Sequence, residues 1–328
     1  MTRRRQRKIG ILGGGSIGLR HAANLHGLGI EHLSILEPSA PARERCPENL
    51  RGFLVEAAGE FWEREMDSVF VCTPSAEHLS HVQTAVSRGC DVFVEKPLAS
   101  AEDGCFELAA EAERRALITM VACNMRFHPG PAAVKRLLEE QRIGRVLYAR
   151  IHTASYLPTW RPWQDYRMSY SADPHTGGVI LDGVHEIDLA LWYLGPATLR
   201  HATVRKAEAI GLPETDGIAD LRLDHHSGSL SSVHLNFVQR NYSRGCQIVG
   251  ETGTIAWDFS KSEVLVYGED GRVAETVGWI ADYDLNAMYV AEMEHFLDCQ
   301  ESREPTCNPL AGGLAVLKLA CAAKECSR

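Results

Sequence analysis

A glycine-rich turn near the N-terminus has the residue types and the spacing to hold phosphate groups. Three glycines in the order G-x-G-x-x-G follow the short apolar run Lys8–Leu12 and precede a helical pattern. Glycine allows a tight turn and a close approach of the backbone to a ligand, and the N-terminus of the following helix attracts anions. This strand–turn–helix context predicts a site for the pyrophosphate of a dinucleotide. The residues expected to form it are Gly13, Gly15, Ser16, Ile17 and Gly18.

An acidic residue stands where such a site needs a partner for a ribose. Glu37 ends the second apolar run, His32–Leu36, roughly 20 residues beyond the glycines. A carboxylate there accepts hydrogen bonds from the ribose hydroxyls and repels a 2′-phosphate. The sequence therefore predicts NAD rather than NADP as the cofactor. Arg43 is an alternative phosphate partner, although a solvent-facing charge on a helix is the simpler interpretation.

A histidine in the second half of the chain could exchange protons with a substrate. His185 is the candidate, because an imidazole needs only a small change of environment to act as an acid or base near neutral pH. The segment Val179–Leu194 has the periodicity of one amphipathic helix, on which Asp182 and His185 are neighbours. The Asp182 carboxylate could then orient the ring. Asp188 is either a second polar contact or a structural cap, and the pattern leaves both open.

A segment at residues 156–167 combines aromatic rings with charged groups. Aromatic faces beside hydrogen-bonding side chains suit the recognition of a sugar, and an arginine there could hold a phosphate or a carboxylate. A structural loop is the alternative interpretation. The candidate substrate-binding residues in this segment are Arg161, Trp163, Tyr166 and Arg167.

The first half of the chain alternates apolar runs with helical patterns. Strands are also predicted at 68–72, 91–94 and 117–121, and helices at 78–88 and 101–115. This alternation predicts a doubly wound parallel sheet, a Rossmann domain, over residues 1–122. Ligands of such sheets bind beyond the carboxyl ends of the strands. The residues at those ends, which we expect to contact the cofactor, are Thr73, Pro74, Glu95, Lys96 and Asn124.

The pattern changes after residue 145 to strands separated by turn residues. The predicted strands span 146–153, 219–223, 229–236 and 244–250. Turns between such strands are typical of antiparallel pairing. We therefore assign residues 123–328 to a second domain.

The ordered set of motifs resembles the Gfo/Idh/MocA family of sugar and polyol oxidoreductases over nearly the whole chain. The motifs are the glycine turn, Cys72-Thr73-Pro74 with His78 downstream, Glu95-Lys96-Pro97, Asn124-Met125-Arg126-Phe127, Gly177-Gly178 leading to Asp182-Gly183-Val184-His185-Glu186-Ile187-Asp188, and Asn286-Ala287-Met288-Tyr289 with Glu292 and Phe296. The segment at 156–167 and the spacing Asp-x-x-His-Glu-x-Asp are similar to a subgroup linked to cell-surface and sialic-type sugar pathways.

This resemblance implies an NAD-dependent enzyme. It would transfer a hydride between nicotinamide and a secondary hydroxyl or keto carbon of a sugar, polyol or nucleotide-activated sugar. Lys96 would bind the reacting hydroxyl, next to a cis Lys96–Pro97 peptide, and His185 would be the acid/base with Asp182 beside it. Burial and the positive nicotinamide would both favour the neutral amine of Lys96. The resemblance also implies that His78 contacts the cofactor and Arg126 the substrate.

Two further implications concern the second domain. In the family it is an α/β domain that binds the substrate and carries a large, mostly antiparallel open sheet. That sheet often mediates oligomerisation, which implies a homodimer or homotetramer. Most members have three residues between the aspartate and the histidine, whereas this chain has two between Asp182 and His185. The shorter spacing turns Asp182 by about 100° around a helix.

Composition narrows the choice of partners and location. A net charge of −9 argues against nucleic acid or an anionic membrane surface as a partner. The ten cysteines lack metal-finger spacing, and no apolar stretch has transmembrane length. Together with the lack of an export signal, these features predict a cytoplasmic protein with reduced thiols.

Two other functions remain open. A non-catalytic NAD(P)-binding regulator would need the glycine turn but not the pair Lys96 and His185. A metal-dependent enzyme would need ligands such as His175 and His185, but no helix carries two histidines at ligand spacing. We expect no metal.

Overall fold

The computed structural model describes residues 2–280 and 282–326. The chain divides into two compact units. Unit 1 contains residues 1–124 and 286–314, and unit 2 contains residues 125–285 and 315–328. This differs from the predicted contiguous division at residue 122, because a late segment of the chain returns to the first unit.

Helices and strands alternate in the first half and strands dominate the second. The α-helices are α1 (Thr2–Arg5), α2 (Ser16–Gly27), α3 (Ala40–Glu44), α4 (Ala58–Glu63), α5 (Ser75–Ser87), α6 (Cys105–Arg114), α7 (Pro129–Glu139), α8 (Gly178–Asp182), α9 (Val184–Leu194), α10 (Asn286–Ser302) and α11 (Leu310–Glu325). The strands are β1 (Lys8–Leu12), β2 (His32–Leu36), β3 (Leu54–Val55), β4 (Ser68–Val71), β5 (Asp91–Glu95), β6 (Thr119–Ala122), β7 (Val146–Tyr156), β8 (Ala197–Ala207), β9 (Leu212–His225), β10 (Leu230–Asn236), β11 (Val238–Gly250), β12 (Thr254–Asp258), β13 (Glu263–Tyr267) and β14 (Val273–Gly278). Short 3₁₀ helices span Glu48–Phe53, Asn124–Phe127, Leu157–Thr159, Tyr166–Met168, Tyr170–Ala172 and Glu208–Ile210.

Unit 1 is built on a six-stranded parallel sheet in the order β3-β2-β1-β4-β5-β6. This is the Rossmann order, in which the direction of winding reverses between β1 and β4. Every residue of β4 is buried, as expected for a strand covered on both faces. The predicted doubly wound domain is confirmed, and the carboxyl ends of β1 and β4 mark its ligand-binding edge.

The predicted helix at 101–115 begins later than expected. Helix α6 starts at Cys105, and its N-cap is Gly104, whose φ of 77° lies in the left-handed region. A residue in that conformation cannot continue a right-handed helix. The turn before Gly104 therefore lies outside the helix.

A late segment of the chain completes the core of unit 1. The ring of Phe70 stacks on that of Phe93 with centroids 4.5 Å apart, and Phe296 of α10 packs edge-on against both. Beyond α10, the side chain of Asn308 donates to the carbonyl of Val121 on edge strand β6 (2.8 Å), and the Val121 amide donates to the Asn308 carbonyl (2.8 Å). The returning segment thus covers both a face and an edge of the sheet.

A buried carboxylate ties this segment to β5. Asp91 is 5% exposed, and its Oδ1 accepts a hydrogen bond from the Ile118 amide (2.8 Å). Its Oδ2 accepts from Gln300 Nε2 (2.9 Å) and from Arg303 Nη1 (2.8 Å). One aspartate therefore joins the start of β5, the approach to β6 and the end of α10.

Unit 2 is built on an eight-stranded sheet in the order β14-β13-β12-β11-β7-β10-β9-β8. Neighbouring strands are antiparallel except for β7 and β10, which are parallel. Alternate residues of β10 are buried from Ser231 to Leu235, so one face of that strand contributes to the core. The predicted large, mostly antiparallel sheet is confirmed. Strands β8 and β12 to β14 were not predicted.

The predicted single helix Val179–Leu194 is wrong. Gly183 separates α8 from α9 with φ −86° and ψ 20°. A Cβ at this position would lie 2.7 Å from the carbonyl oxygen of Val179 and 2.9 Å from a methyl carbon of Leu235 on β10. The break therefore occurs where the chain packs closely against the sheet.

Two smaller findings complete the fold. Seven of the ten cysteines are buried. Within the described residues, no helix has both the length and the apolar character needed to cross a membrane.

Replacing Asp91 by alanine should destabilise unit 1. The change removes the acceptor of three hydrogen bonds at a buried position, a loss that costs about 2–4 kcal/mol. We expect the midpoint of thermal unfolding, followed by circular dichroism, to fall by at least about 5 °C. Asp103→Ala, at an exposed position, is the matched control and should leave the midpoint nearly unchanged. Equal midpoints for the two variants would contradict the role assigned to Asp91.

Candidate functional site

The turn between β1 and α2 has the shape of a phosphate cradle. Gly13 has a φ of 98°, and a Cβ there would lie 2.8 Å from the carbonyl oxygen of Cys72. At Gly18 a Cβ would lie 1.9 Å from the carbonyl oxygen of Gly13, so α2 can approach the turn only with glycine at this position. The geometry therefore requires glycine at positions 13 and 18, as the sequence motif predicts.

Gly15 differs from the other two glycines, because a Cβ there would meet nothing within 4 Å. This residue is the N-cap of α2, and it has no side chain to cap the helix. The amide groups of the first turn, which include those of Ser16 and Ile17, point out of the helix end and carry its positive dipole. The open space above Gly15 therefore lies where the pyrophosphate is predicted to bind.

The carboxylate of Glu37 is held at the end of β2. Its Oε2 accepts a hydrogen bond from the Gly14 amide (3.0 Å), and its Oε1 accepts from the Ser39 amide (2.9 Å). Arg43 donates to the carbonyls of Glu37 and Pro38 and pairs with Glu56. The guanidinium of Arg43 thus supports the turn and is not the solvent-facing charge expected from the sequence.

A buried histidine joins two of the predicted strand ends. His78 is 1% exposed, and its ring nitrogens each lie 2.8 Å from a carbonyl oxygen, that of Pro97 and that of Thr73. Burial lowers the pKa of His78 more than these carbonyls raise it, so the ring is neutral and donates to one carbonyl at a time. The hydroxyl of Thr73 lies 3.0 Å from His81 Nδ1. The contact of His78 and Thr73 with a cofactor stays a prediction.

The end of β5 brings together Glu95, Lys96 and the expected cis peptide between Lys96 and Pro97. Glu95 Oε1 lies 2.7 Å from Nε2 of His21, a wholly buried residue of α2. Burial by itself raises the pKa of Glu95, but the hydrogen bond from His21 and the charge of Lys96 outweigh it and hold the pKa below its usual value. Glu95 is therefore a carboxylate at neutral pH.

Sequence reasoning assigned no role to His21. The helical spacing could have predicted that His21 is buried, because it lies on the buried face of α2 with Gly18, Ala22 and Leu25. A histidine on a buried face needs a polar partner. The partner, Glu95, is distant in sequence, and the helical pattern of α2 alone does not identify it.

In unit 2, a double glycine and a partly buried lysine position α8. Gly178 has a φ of 84°, and a Cβ there would overlap the carboxylate of Asp216. Asp216 accepts from the Ile180 amide (3.0 Å), and Lys324 donates to Asp216 (3.2 Å) and to the Gly177 carbonyl (2.9 Å). Helix α11 thereby fixes the entrance to α8.

The predicted acid/base residues lie on either side of Gly183. Asp182, at the end of α8, accepts hydrogen bonds from the hydroxyls of Tyr170 (2.8 Å) and Ser171 (2.7 Å). His185 lies in the first turn of α9 and is partly buried. The expected rotation of Asp182 by 100° assumed one continuous helix, so it does not apply here.

Two buried ion pairs surround α9. Arg126 donates two hydrogen bonds to Asp188 (2.8 and 2.6 Å), and neither side chain is more than 8% exposed. Arg244 pairs with Glu186 at 2.7 Å. Asp188 is thus the hydrogen-bonded partner of Arg126. Substrate binding by Arg126 stays a prediction, and the structure gives it a structural role.

The aromatic segment has one strongly exposed ring and several tethered groups. Trp163 is 82% exposed. Tyr166 donates its hydroxyl to the Ile210 carbonyl (2.6 Å), and Arg167 pairs with Asp165 (3.0 Å). Arg161 lies over the ring of Tyr170 at 5.6 Å.

Comparison with known proteins agrees with this geometry. The model of an oxidoreductase family with an NAD-binding Rossmann fold matches residues 7–123, and the model of the GFO/IDH/MocA C-terminal domain matches residues 132–256. The chain belongs to the Gfo/Idh/MocA family of NAD-binding oxidoreductases, and the expected family and cofactor are confirmed.

Individual relatives share about a third or less of their residues with this chain over the regions that match. Inositol 2-dehydrogenase 2 of Saccharopolyspora erythraea is 32% identical over 203 residues, which are 59% of this chain and 55% of that protein. The rhizopine catabolism protein MocA of Rhizobium meliloti is 27% identical over 97% of this chain and 94% of its own length. A structure of levoglucosan dehydrogenase with NADH and levoglucosan has a TM-score of 0.86 at 20% identity, covering 98% of this chain and 97% of the other. This last likeness shows the fold.

Replacing Gly15 by alanine should weaken cofactor binding without disturbing the fold. The new methyl group enters open space in the free protein but occupies the approach of the pyrophosphate. We expect the Kd for NADH, measured by fluorescence titration, to rise at least about tenfold, with the unfolding midpoint unchanged. Gly27→Ala, at the other end of α2 and also in open space, should leave both quantities unchanged. An unaltered Kd for the Gly15 variant would contradict the assignment of the cradle.

The carboxylate of Glu37 should set the cofactor preference. Glu37→Gln removes the charge that repels a 2′-phosphate, so the ratio of the Kd for NADPH to that for NADH should fall at least about tenfold. Glu44→Gln, an exposed change on the neighbouring helix α3, is the control. The assignment fails if the unmodified protein binds NADPH as tightly as NADH.

Proposed function

We propose that this protein oxidises a secondary hydroxyl of a sugar, polyol or nucleotide-activated sugar, or reduces the corresponding keto group. When bound, NAD accepts or donates the hydride. The observation that carries the proposal is the arrangement in unit 1, where the glycine turn, Glu37 and Lys96 all follow carboxyl ends of one parallel sheet. A primary amine at the edge where the dinucleotide binds suits an oxidoreductase better than a non-catalytic regulator, which has no use for it.

In this proposal Lys96 binds the reacting oxygen. The residue directly follows β5, and the cis peptide with Pro97 and the partly buried Glu95 fix the backbone on either side of it. A nitrogen held in this way can donate a hydrogen bond to a hydroxyl or keto oxygen and so steady the charge that develops on it.

His185 is the proposed acid/base, and Asp182 is its proposed neighbour at the site. The ring stands in the first turn of α9, where the positive end of the helix dipole favours the neutral, proton-accepting form. Asp182 is held in place by Tyr170 and Ser171. A carboxylate with fixed geometry can take part in binding substrate hydroxyls without losing order on binding.

The substrate class is supported by the aromatic segment and by the relatives. The exposed ring of Trp163 offers a face on which a sugar can stack, and Arg161 offers a cation. Tyr166 and Arg167 contribute less in this proposal, because their polar groups already bind within unit 2. The names of the relatives point to inositols and an anhydrosugar.

The test is NAD reduction, followed by NADH absorbance, with a panel of inositols, sugars, anhydrosugars and UDP- or CMP-linked sugars. With any substrate found, Lys96→Met and His185→Asn should each lower kcat by about 10²–10⁴-fold, because each removes a group that acts on the reacting hydroxyl. NADH should still bind to both variants.

Lys261→Met and His226→Asn change the same residue types at exposed positions and serve as controls. We expect both to retain full activity. Activity that survives in both Lys96→Met and His185→Asn would refute the assigned roles. NADH binding with no turnover of any compound in the panel would favour a regulator, and a flat response to UDP-sugars would exclude that substrate group.

A further inference from the structure

A buried histidine and a partly buried glutamate form an ionisable pair next to Lys96. His21, on α2, is 0% exposed, and its Nε2 lies 2.7 Å from Oε1 of Glu95. The rings of Phe93 and Tyr289 pack edge-on against the imidazole, with centroids 5.3 and 6.1 Å away, and Phe70 lies at 6.1 Å. Neither the glycine turn nor the proposed proton transfer uses this histidine, so its buried polar group needs another explanation.

The geometry determines where the imidazole carries its proton. An ionised carboxylate can only accept a hydrogen bond, so Nε2 must donate to Glu95. Nδ1 has no hydrogen-bond partner among the described residues, and a proton there would be buried without an acceptor. The arrangement therefore favours a neutral ring with its single proton on Nε2.

Glu95 also contacts the backbone of Lys96. Its Oε2 accepts a hydrogen bond from the backbone amide of Lys96 at 3.3 Å, which fixes the peptide from which the lysine side chain leaves the strand. If the ring is neutral, the pair carries one negative charge next to the lysine. That charge stabilises the ammonium form, and the effect is larger at these partly buried positions than it would be in water.

We propose that His21 and Glu95 form a dyad that orients Lys96 and sets its charge, with His21 acting as a positioning residue through Glu95.

Other charged and titratable groups face the dyad and Lys96 from neighbouring elements. They are Cys72 after β4, His78 on α5, and Tyr289 and Glu292 on α10. Arg20 of α2 lies over the Tyr289 ring at 4.7 Å. Burial and the charge of Glu95 raise the pKa of Tyr289, so its hydroxyl stays neutral. Glu95 is therefore the anion in direct contact with the lysine backbone.

The proposal predicts how the titration midpoint of Lys96 changes when Glu95 or His21 is replaced. In Glu95→Gln, the loss of the negative charge should lower the titration midpoint of Lys96 by at least about half a pH unit. In His21→Phe, the ring stays but the donor is lost, so the Glu95 carboxylate is no longer held beside Lys96 and the Lys96 midpoint should also fall. In His21→Gln, whose amide nitrogen can replace Nε2, the midpoint should stay within about 0.3 unit of the original.

The measurement uses the full chain with NADH and no substrate. Lysines are reductively methylated with ¹³C-formaldehyde and followed by NMR over a pH series, and Lys96→Arg assigns the signal. His225→Phe is the matched control, because it makes the same change at a buried histidine of unit 2, whose ring nitrogens contact Gly195 and Ser231. It should not alter the Lys96 midpoint.

A second readout needs no variant of His21. The ¹⁵N shifts of the imidazole in the unmodified protein should show a protonated Nε2 and an unprotonated Nδ1. An imidazolium, or a proton on Nδ1, would overturn the proposal even if His21→Phe does not fold. Equal Lys96 midpoints in Glu95→Gln and the unmodified protein would overturn it as well.

The proposal rests on the proposed function of Lys96, but its test is independent of turnover. If the midpoints shift as expected while no compound reduces NAD, the dyad stands and the proposed activity fails. If Lys96→Met abolishes turnover while the midpoints stay fixed, the activity stands and the dyad fails. With both in place, His21→Phe should lower kcat about tenfold or more and leave the Kd for NADH within about twofold.

Discussion

The contact between Gly18 and the backbone of Gly13 is the constraint on which the cofactor-binding unit depends. No other residue could occupy position 18, since a Cβ would lie 1.9 Å from a carbonyl oxygen. This contact brings α2 against β1, which turns the first amides of the helix toward the phosphate cradle. It also places His21, one turn further along α2, beside the end of β5. A single steric requirement thus links the cradle to the surroundings of Lys96.

In unit 2, pairs of oppositely charged side chains hold distant segments of the chain together. Arg126 with Asp188, Arg244 with Glu186 and Lys324 with Asp216 each join segments far apart in sequence. Breaking one such pair leaves an uncompensated charge in a poorly solvated place, which costs far more than an exposed pair contributes. These pairs therefore specify how α9 and the entrance to α8 are placed on the sheet.

Unit 1 could be predicted from sequence because its signals are local. Strands buried on both faces are continuous apolar runs, and the glycine spacing identifies the turn without knowledge of the rest. In unit 2 the signals depend on partners. Strand β14 is mostly exposed and has no apolar run, and the break at Gly183 arises from contact with Leu235, more than fifty residues later. The role of His21 was missed for the same reason, since its partner Glu95 is 74 residues away.

The return of residues 286–314 to unit 1 has a consequence for synthesis of the protein. During translation the ribosome completes β1 to β6 long before it reaches Phe296, Gln300 and Arg303, which cover Phe70 and Phe93 and bind Asp91. Until then, part of the apolar face of the first sheet and the edge of β6 have no cover, and the nascent chain is exposed to aggregation. The nucleotide-binding unit is thus the first to begin folding, but it cannot finish until residues 286–314 have been made.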